Sequence, residues 1–336
     1  MTETIAFLQP LTDEMRNVVE SCVPPGFHIT SAASTTPQHL HAFIADARYA
    51  VVWDIAVDES LLRAGTRLKL LHKWGVGVDN LDLEAAKRLG IAVARTTGSN
   101  AVPVAEFTIA AILALARRLI PANEGMRQGR WLKNEIWRES IMLSGRTVGI
   151  VGLGMIGIEV AKRLAAFGCR ILYHKPHRLE AAEERALGVE FTSIDDLLRQ
   201  SDIVTLHCPL TPATRGLIGL NELRLMKEGA ILINVARGGV VSEPDLVRAL
   251  RTGHIAAAAI DVFETEPIPG DHPFVGLPNV LLTPHCAATT FDNSRKGIAR
   301  LMDNIARFAR GEEIPARDVV VPQPPTTVRQ AETSGA

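Results

Sequence analysis

The sequence predicts an α/β protein made of two doubly wound parallel-sheet domains. Short apolar runs alternate with polar, helix-like stretches over most of the 336 residues, and such alternation indicates parallel sheets with right-handed crossovers. The length exceeds what one hydrophobic core usually serves. A glycine-rich segment near the middle of the chain begins a second strand–helix series, which is why two domains are expected rather than one.

The first series occupies the chain up to about residue 98. Nearly uninterrupted apolar runs predict buried strands, and stretches that begin with acidic residues and end near glycine predict helices. The predicted strands are IAFLQ, YAVVWDI, LKLLHKWG and GIAVART, and the predicted helices are DEMRNVVESC, DESLLRAG and DLEAAKRLG. A long helix is predicted over 101–119, and the polar stretch after it contains Trp131 and Trp137.

The second series begins at Gly145 and continues to about residue 285. Its predicted strands are TVGIVG, RILYH, DIVTLHC, GAILINVA, AAAAIDVF and NVLLTPH, separated by helices such as IGIEVAKRLAAFG and EPDLVRALRTG. This pattern predicts a complete doubly wound domain. A further helical stretch follows, and the proline- and threonine-rich end, VVVPQPPTTVRQAETSGA, is expected to fray.

The composition excludes several classes of function. The formal net charge of −1 offers no basic excess for nucleic acid. The apolar stretch FTIAAILALA is far shorter than a membrane span needs, and MTETIAFLQP has no secretory pattern. The four cysteines lack paired spacing, so neither a disulfide frame nor a metal site is expected. We expect a soluble cytoplasmic protein that binds neither nucleic acid nor membrane.

The glycine-rich segment predicts a dinucleotide site. Gly152, Gly154 and Gly157 have the spacing G-x-G-x-x-G between a predicted strand and a predicted helix. The first glycine permits the tight turn, the second lets a pyrophosphate approach the backbone, and the third lets the helix pack closely. Met155 and Ile156 open the helix, whose first N–H groups would face the phosphates. A merely structural glycine turn is the alternative.

The end of the next strand bears on the choice of cofactor. In this fold an acidic residue about 20 positions after the loop holds the ribose hydroxyls of NAD. Here the sequence has His174, Lys175 and Arg178, with no carboxylate before Glu180. Lys175, as the selector, and Arg178 would attract the 2′-phosphate of NADP. NADP(H) is therefore favoured, NAD(H) stays possible, and a solvated basic loop is the alternative.

Three later strands each lead to a polar residue suited to hydride transfer. Arg237, Glu266 and His285 follow the predicted strands GAILINVA, AAAAIDVF and NVLLTPH. A guanidinium can bind a carboxylate with a planar fork, and a histidine can donate and recover a proton near neutral pH. A neighbouring carboxylate favours the charged imidazolium. Each residue alone has a structural alternative, but together they suit reduction of a 2-keto acid by a nicotinamide cofactor.

The motifs GLGMIG, HCPLTPATRGLIG, INVARGGVV, DVFETEP and LTPH resemble those of the D-isomer-specific 2-hydroxyacid dehydrogenase family over about residues 40–310. The resemblance implies that Arg237, Glu266 and His285 are the catalytic residues, and that Asp261 holds the nicotinamide carboxamide. It also implies that backbone amides near Val76 and Gly77 bind the substrate carboxylate together with Arg237 and His285. The further cofactor contacts that it implies are Thr108, Cys208, Pro209, Thr214, Val235, Ala236 and Ala287.

The resemblance also implies the domain order. A Rossmann cofactor domain, 101–287, would be inserted into a flavodoxin-like substrate domain built from 1–100 and 288–336. The segment 101–144 resembles the dimer arm of the family, which implies a homodimer. For Trp131 and Trp137 on that arm, local packing is the alternative.

The implied activity is oxidoreduction of a small D-2-hydroxy acid or its keto acid, of glyoxylate or hydroxypyruvate type. Phosphoglycerate oxidation is the principal alternative. A formate dehydrogenase is disfavoured because its glutamine would replace Glu266, and a dinucleotide-sensing interaction protein is the alternative outside catalysis.

Overall fold

A computed structural model describes residues 2–323 of the chain. The chain divides into two compact units, one built from the part up to Ser99 and from Phe291 onward, the other from Asn100–Thr290. Each unit is a helix-covered, mainly parallel sheet, so the predicted α/β fold is confirmed. Most of the proline- and threonine-rich end, 324–336, lies outside the described residues.

Strands and helices are numbered in chain order. The strands are β1 (Glu3–Phe7), β2 (Phe27–Ser31), β3 (Tyr49–Val52), β4 (Leu70–Lys73), β5 (Ala92–Arg95), β6 (Thr147–Val151), β7 (Arg170–His174), β8 (Val189–Phe191), β9 (Ile203–Leu206), β10 (Ala230–Asn234), β11 (Ile255–Ile260), β12 (Val280–Leu282) and β13 (Val319–Val321). The helices are α1 (Asp13–Glu20), α2 (Pro37–Ile44), α3 (Glu59–Ala64), α4 (Leu83–Arg88), α5 (Ala101–Ala116), α6 (Leu119–Arg127), α7 (Lys133–Glu139), α8 (Met155–Ala166), α9 (Ala181–Leu187), α10 (Ile194–Gln200), α11 (Leu220–Leu225), α12 (Glu243–Arg251) and α13 (Phe291–Ala309).

The first unit contains a sheet in the order β13-β5-β4-β3-β1-β2. Strands β2, β1, β3, β4 and β5 are parallel, in the flavodoxin-like order. Sequence patterns missed β2 and α2 because both are short and only partly apolar. Leu301 and Ile305 of α13 join the core on one face of this sheet, so the helix after the second unit completes the first.

The start of the C-terminal segment, which was expected to fray, is an ordered strand. Val319 and Val321 of β13 pair antiparallel with β5. Directly before β13, the buried Asp318 accepts two hydrogen bonds from the Arg300 guanidinium, at 2.6 and 2.8 Å, and one from the Thr97 N–H. The expectation was wrong for these residues because composition carries no information about such tertiary pairing.

The second unit contains a fully parallel seven-stranded sheet in the order β12-β11-β10-β9-β6-β7-β8. This is the Rossmann order with one strand added beyond the sixth. Helices α5 and α8 pack on one face, and α10, α11 and α12 on the other. The sheet is therefore buried on both sides, which explains its near-continuous apolar strands. The three-residue β8 was not predicted.

The helix predicted over 101–119 ends early. Helix α5 stops at Ala116, and Arg118 has a left-handed backbone (φ 54°) before α6 begins. Beyond this break, Trp131 and Trp137 are 75% and 77% exposed, which removes support for the local-packing alternative. In the described part of the chain, no helix combines the length and apolar character required to cross a membrane.

Candidate active site

The glycine loop lies between β6 and α8, and each glycine has a distinct spatial reason. Gly152 has φ +96°, and a Cβ there would lie 2.6 Å from the backbone nitrogen of Cys208. A Cβ on Gly157 would lie 2.5 Å from the carbonyl oxygen of Gly152. Around Gly154 the space is open to 4 Å. The loop therefore fits a dinucleotide, because among its three glycines Gly154 leaves room where a pyrophosphate would approach the start of α8.

The selector region lies at the ends of β7 and β8. Strand β7 ends at His174, so Lys175 is the first residue beyond it. The His174 ring stacks on Phe191, and its Nδ1 lies 3.0 Å from the Thr192 carbonyl oxygen, to which it donates. That bond leaves Nε2 of His174 as the ring atom available to a ligand. Lys175 is partly exposed.

Arg178 is engaged by a carboxylate that sequence reasoning did not consider. Its Nε and Nη2 each donate to Glu184 at 2.8 Å, and its guanidinium carbon lies 5.5 Å from the centre of the Phe191 ring. The Arg178 pair, followed by the Tyr173 hydroxyl, lowers the pKa of Glu184 to about 2. Any contact of Arg178 with a phosphate would be shared with this carboxylate, so Lys175 and Arg178 are not equivalent.

Glu266 and His285 come together at the carboxyl edge of the second sheet. His285 Nδ1 lies 2.7 Å from Glu266 Oε2, and the Phe263 N–H donates to Glu266 Oε1 at 2.9 Å. Because Nδ1 donates its hydrogen to the carboxylate, Nε2 is the atom that can exchange a proton with a ligand. The two side chains are 45% and 36% exposed, so a ligand can reach them.

The charges around this pair favour an ion pair. The hydrogen bond that His285 donates to Glu266 raises the pKa of His285 above its ordinary value, although partial burial opposes this. The charge of Arg237 also lowers that pKa, and the charge of Asp261 raises it. Partial burial opposes ionisation of Glu266, yet the pKa of that carboxyl lies below its usual range, because His285 and the Phe263 N–H both donate to it. The protonated form of His285 is therefore favoured, and this form can act as an acid near neutral pH.

Arg237 is brought to the same edge by the glycine that follows it. A Cβ on Gly238 would collide with the carbonyl group of Phe263, so only glycine lets the loop after β10 lie against the loop after β11. Arg237 Nη1 donates to the Ala236 carbonyl oxygen at 2.8 Å, and its positive charge lowers the pKa values of both Glu266 and His285. The predicted trio is thus one cluster. The two glycines of ARGGV were the sequence signal for this close approach.

Asp261 holds the segment that carries His285. Its buried carboxylate accepts from the Thr283 hydroxyl at 2.6 Å and from the N–H groups of Cys286 and Ala287 at 2.9 and 3.0 Å. The N–H of His285 donates to the Asp261 carbonyl oxygen, and His285 has a left-handed backbone (φ 51°). These bonds on both sides of His285 fix a conformation that a non-glycine residue rarely adopts. The predicted carboxamide contact of Asp261 stays a prediction.

The remaining predicted cofactor contacts are mostly internal groups. Thr108 is fully buried, and its hydroxyl donates to the Val104 carbonyl oxygen at 2.7 Å, which makes it a weaker candidate than its sequence motif suggested. Val235 and Ala236 are buried after β10, and Ala287 is buried beside Asp261.

The loop after β9 is closed by a threonine. Cys208 directly follows His207 beside the glycine loop. The Thr214 hydroxyl donates to the Pro209 carbonyl oxygen at 2.6 Å and accepts from the Thr211 N–H at 2.8 Å. This closed loop borders Gly152, which is consistent with the predicted contacts of Cys208, Pro209 and Thr214.

Val76 and Gly77 belong to the first unit, in the loop after β4. Arg95 Nη1 donates to the Val76 carbonyl oxygen at 3.0 Å, and Gly75 has φ +135°. The Lys73 ammonium binds the Trp53 carbonyl oxygen and Asn80 Oδ1. The carboxyl edge of this sheet thus carries an ordered loop in which backbone amides, rather than titratable side chains, are the candidate ligands.

Known proteins resemble the chain over most of its length. The D-isomer specific 2-hydroxyacid dehydrogenase, NAD binding domain, matches residues 109–287. Glyoxylate reductase of Aeropyrum pernix is 45% identical over 81% of this chain and 82% of its own. D-3-phosphoglycerate dehydrogenase of Archaeoglobus fulgidus is 40% identical over 79% of this chain but only 49% of its own. The NAD-dependent formate dehydrogenase of Staphylococcus aureus, solved with NAD, has a TM-score of 0.82 at 28% identity and covers 96% of this chain and 100% of its own.

These similarities agree with the glycine loop, the Rossmann strand order and the Glu266–His285 pair. They establish a nicotinamide cofactor and oxidoreduction of hydroxy acids as the activity. The chain belongs to the D-isomer specific 2-hydroxyacid dehydrogenase family.

Proposed function

We propose that this enzyme is an NADPH-preferring reductase of small 2-keto acids of the glyoxylate and hydroxypyruvate type. The observation that carries the proposal is the 2.7 Å contact between His285 Nδ1 and Glu266 Oε2. It supplies a charged imidazolium whose Nε2 can protonate a carbonyl oxygen, which is what reduction of a keto acid requires of the protein.

The proposed division of labour follows from the chemistry of each side chain. His285 donates its Nε2 proton to the carbonyl oxygen in reduction and recovers it in oxidation. Glu266 keeps that imidazolium charged, and Arg237 binds the substrate carboxylate through its planar guanidinium. A nicotinamide cofactor, when bound, would supply the hydride. The predicted role of the backbone amides at Val76 and Gly77 in the first unit stays a prediction.

The similarity to Aeropyrum pernix glyoxylate reductase supports a small substrate. Glyoxylate has no side chain beyond its carbonyl group, and hydroxypyruvate has a single hydroxymethyl group.

Oxidation of a phosphoglycerate is the second candidate, favoured by the 40% identity to the Archaeoglobus fulgidus enzyme. The two candidates are separated by one assay. Rates with glyoxylate, hydroxypyruvate, pyruvate and a bulky 2-keto acid are measured with both cofactors, beside 3-phosphoglycerate oxidation. We expect the highest kcat/KM with glyoxylate or hydroxypyruvate; a clear preference for 3-phosphoglycerate would replace the first candidate with the second.

The proposed NADPH preference rests on Lys175. It directly follows β7 and is not held by a described carboxylate, whereas Arg178 is held by Glu184. One charge-assisted hydrogen bond to the 2′-phosphate contributes roughly 1.5–3 kcal/mol, about tenfold or more in affinity. Residues 175–179, which directly follow β7, include no acidic residue.

Replacing this lysine tests the cofactor proposal. We expect Lys175→Asp to lower kcat/KM for NADPH about tenfold and to move the preference toward NADH. Lys162→Asp on α8, which removes a lysine paired with Glu159, is the matched control and should leave the ratio unchanged. A wild-type enzyme that prefers NADH would contradict the proposal.

We further propose that the enzyme is a cytoplasmic homodimer that uses the arm within 101–144. Several large apolar side chains of this arm are exposed, more than a monomer usually leaves in one region: Val102, Leu119, Met126, Trp131, Trp137 and Met142. Light scattering of wild type and of a Trp131→Ser, Trp137→Ser double variant tests this. A monomeric wild type would contradict it.

A further inference from the structure

The loop that carries Glu266 is exposed, yet the largely buried carboxylate of Glu243 binds residues at both of its ends. Residues 264–267 are exposed. Glu243, the first residue of α12, accepts from the Glu264 N–H through Oε1 at 2.9 Å. Its Oε2 lies 3.1 Å from His272 Nε2. The side chains of Glu243 and His272 are 17% and 12% exposed, so this contact is sheltered from water although the loop between its ends is not.

The hydrogen-bond roles in this contact follow from the surroundings of His272. The Phe274 N–H donates to Nδ1 of His272 at 3.3 Å, so Nε2 carries the hydrogen and donates to Glu243. The imidazole also packs against the rings of Phe263 and Phe274, with centroids 6.0 and 5.1 Å apart. His272 is therefore a fixed donor, and both oxygens of Glu243 are occupied by the loop.

The peptide between Phe263 and Glu264 connects the contacts of Glu243 to the proposed catalytic groups. Its carbonyl side lies against Gly238, the neighbour of Arg237. The N–H of Glu264, which belongs to this peptide, binds Glu243, and the N–H of Phe263, in the peptide directly before it, binds Glu266. A shift of this peptide would therefore move Glu266 relative to His285.

We propose that Glu243 is a positioning residue, which holds the Phe263–Glu264 peptide so that Glu266 meets His285 at hydrogen-bonding distance. This inference rests on the proposed roles of Glu266 and His285. Glu243 has no part in the chemistry itself. Nothing in the sequence suggested it, because an acidic residue in the first turn of a helix is ordinary.

Three substitutions test the role. Glu243→Ala removes both acceptors, and we expect kcat for keto-acid reduction to fall about tenfold or more, since displacements near 1 Å at a reacting group cost up to about 10² in rate. Glu243→Gln keeps an oxygen for the Glu264 N–H but sets its NH2 group against the donor Nε2 of His272, so it should recover only part of kcat. Glu243→Asp keeps the charge but is too short to bind both donors, so its kcat should lie between. Cofactor affinity, measured by fluorescence titration, should match wild type in all three.

The titration of His285, followed by NMR, supplies a readout that a merely structural role would not move. The signal is identified by its loss in His285→Gln. Glu266 and Asp261 favour the charged imidazole and Arg237 opposes it, so a displaced Glu266 should move the midpoint to lower pH. We expect this shift in Glu243→Ala, and to a smaller extent in Glu243→Asp and Glu243→Gln.

Glu222→Ala is the control, because Glu222, in the first turn of α11, also accepts from a backbone N–H, but from Gly219 at the start of its own helix. It should change neither kcat nor the midpoint. A wild-type midpoint in both Glu243→Ala and Glu243→Asp would overturn the inference, and should Glu243→Ala not fold, Glu243→Asp alone decides. A wild-type enzyme that reduces no keto acid would instead overturn the proposed function, while the titration would still test Glu243.

Discussion

Two histidines, one in each unit, lie in opposite environments. His285 follows β12 in the second unit, is 45% exposed, and binds Glu266, which raises its pKa. His72 lies within β4 of the first unit and is fully buried. Its Nδ1 donates to the Lys73 carbonyl oxygen at 3.0 Å, and its Nε2 accepts from Asn304 at 3.1 Å. Burial lowers the pKa of His72 to about 4.

The two sheets have a similar design, but His285 is suited to catalysis and His72 to the stability of the fold. His285 can gain and lose a proton where a ligand can reach it, whereas His72 is held neutral and its neighbour Asn304 also donates to Asp318, beside β13. His285 should therefore affect turnover and have little effect on stability, whereas His72 should affect stability and have little effect on turnover. Substitutions at His285 and His72 can therefore test whether the two histidines have these different roles.

The largest effect is expected at His285. His285→Ala should lower kcat for keto-acid reduction by at least about 10²-fold, the usual scale for loss of a general acid. Affinity for the cofactor and the free energy of unfolding should barely change. Steady-state kinetics and urea denaturation measure the two quantities, with His28→Ala, an exposed histidine of the first unit, as the control. Near-normal turnover would remove His285 from the mechanism.

A somewhat smaller effect is expected at Arg237. Arg237→Lys keeps the positive charge but loses the planar fork, so KM for the keto acid should rise and kcat should fall, together by about tenfold or more in kcat/KM. Arg248→Lys on α12, an exposed position, is the control. Wild-type kinetics in Arg237→Lys would show that the arginine is a structural residue. His285 and Glu266 would then remain as the proposed catalytic groups of the second unit.

Glu266→Gln should change a pH profile more than a maximal rate. Reduction requires protonated His285, so activity is present below the pKa of His285 and lost as pH rises through it. Removing the neighbouring negative charge lowers that pKa. The falling limb of kcat/KM against pH should therefore move to lower pH, by about one unit. An unmoved limb would show that the 2.7 Å contact does not control the acid.

The smallest effect on catalysis, and a distinct effect on stability, is expected at His72. Its folded pKa of about 4 lies below the ordinary value of 6.5, so its contribution is fully present above about pH 6.5 and is lost as pH falls toward 4. The loss should reach about 3 kcal/mol. His72→Gln cannot titrate, so its free energy of unfolding should fall less than that of wild type between pH 7 and 4.5. Parallel stability curves would contradict this, and kcat/KM at pH 7 should stay near wild type.

The sequence by itself determined the architecture and the kind of residue at the site. Apolar runs and helix starts report local preferences, and these sufficed for the α/β class and most strands. The positive φ of Gly152 and the contact of Gly157 with the Gly152 carbonyl oxygen are both set within a few residues, so the loop could be recognised as a sequence motif. Arg237, Glu266 and His285 could be expected at one edge because parallel strands present their carboxyl ends together.

Only the tertiary structure decided which of these groups pair, because pairing depends on distances between segments remote in sequence. The three bonds to Asp261 and the ordering of β13 through Asp318 both follow from such approaches. The hydrophobic periodicity of the sequence carries no information about these contacts. The same holds for Glu243, whose two oxygens join residues 264 and 272 of a distant loop, since a carboxylate at a helix start has the same sequence pattern whether it faces solvent or holds a catalytic loop.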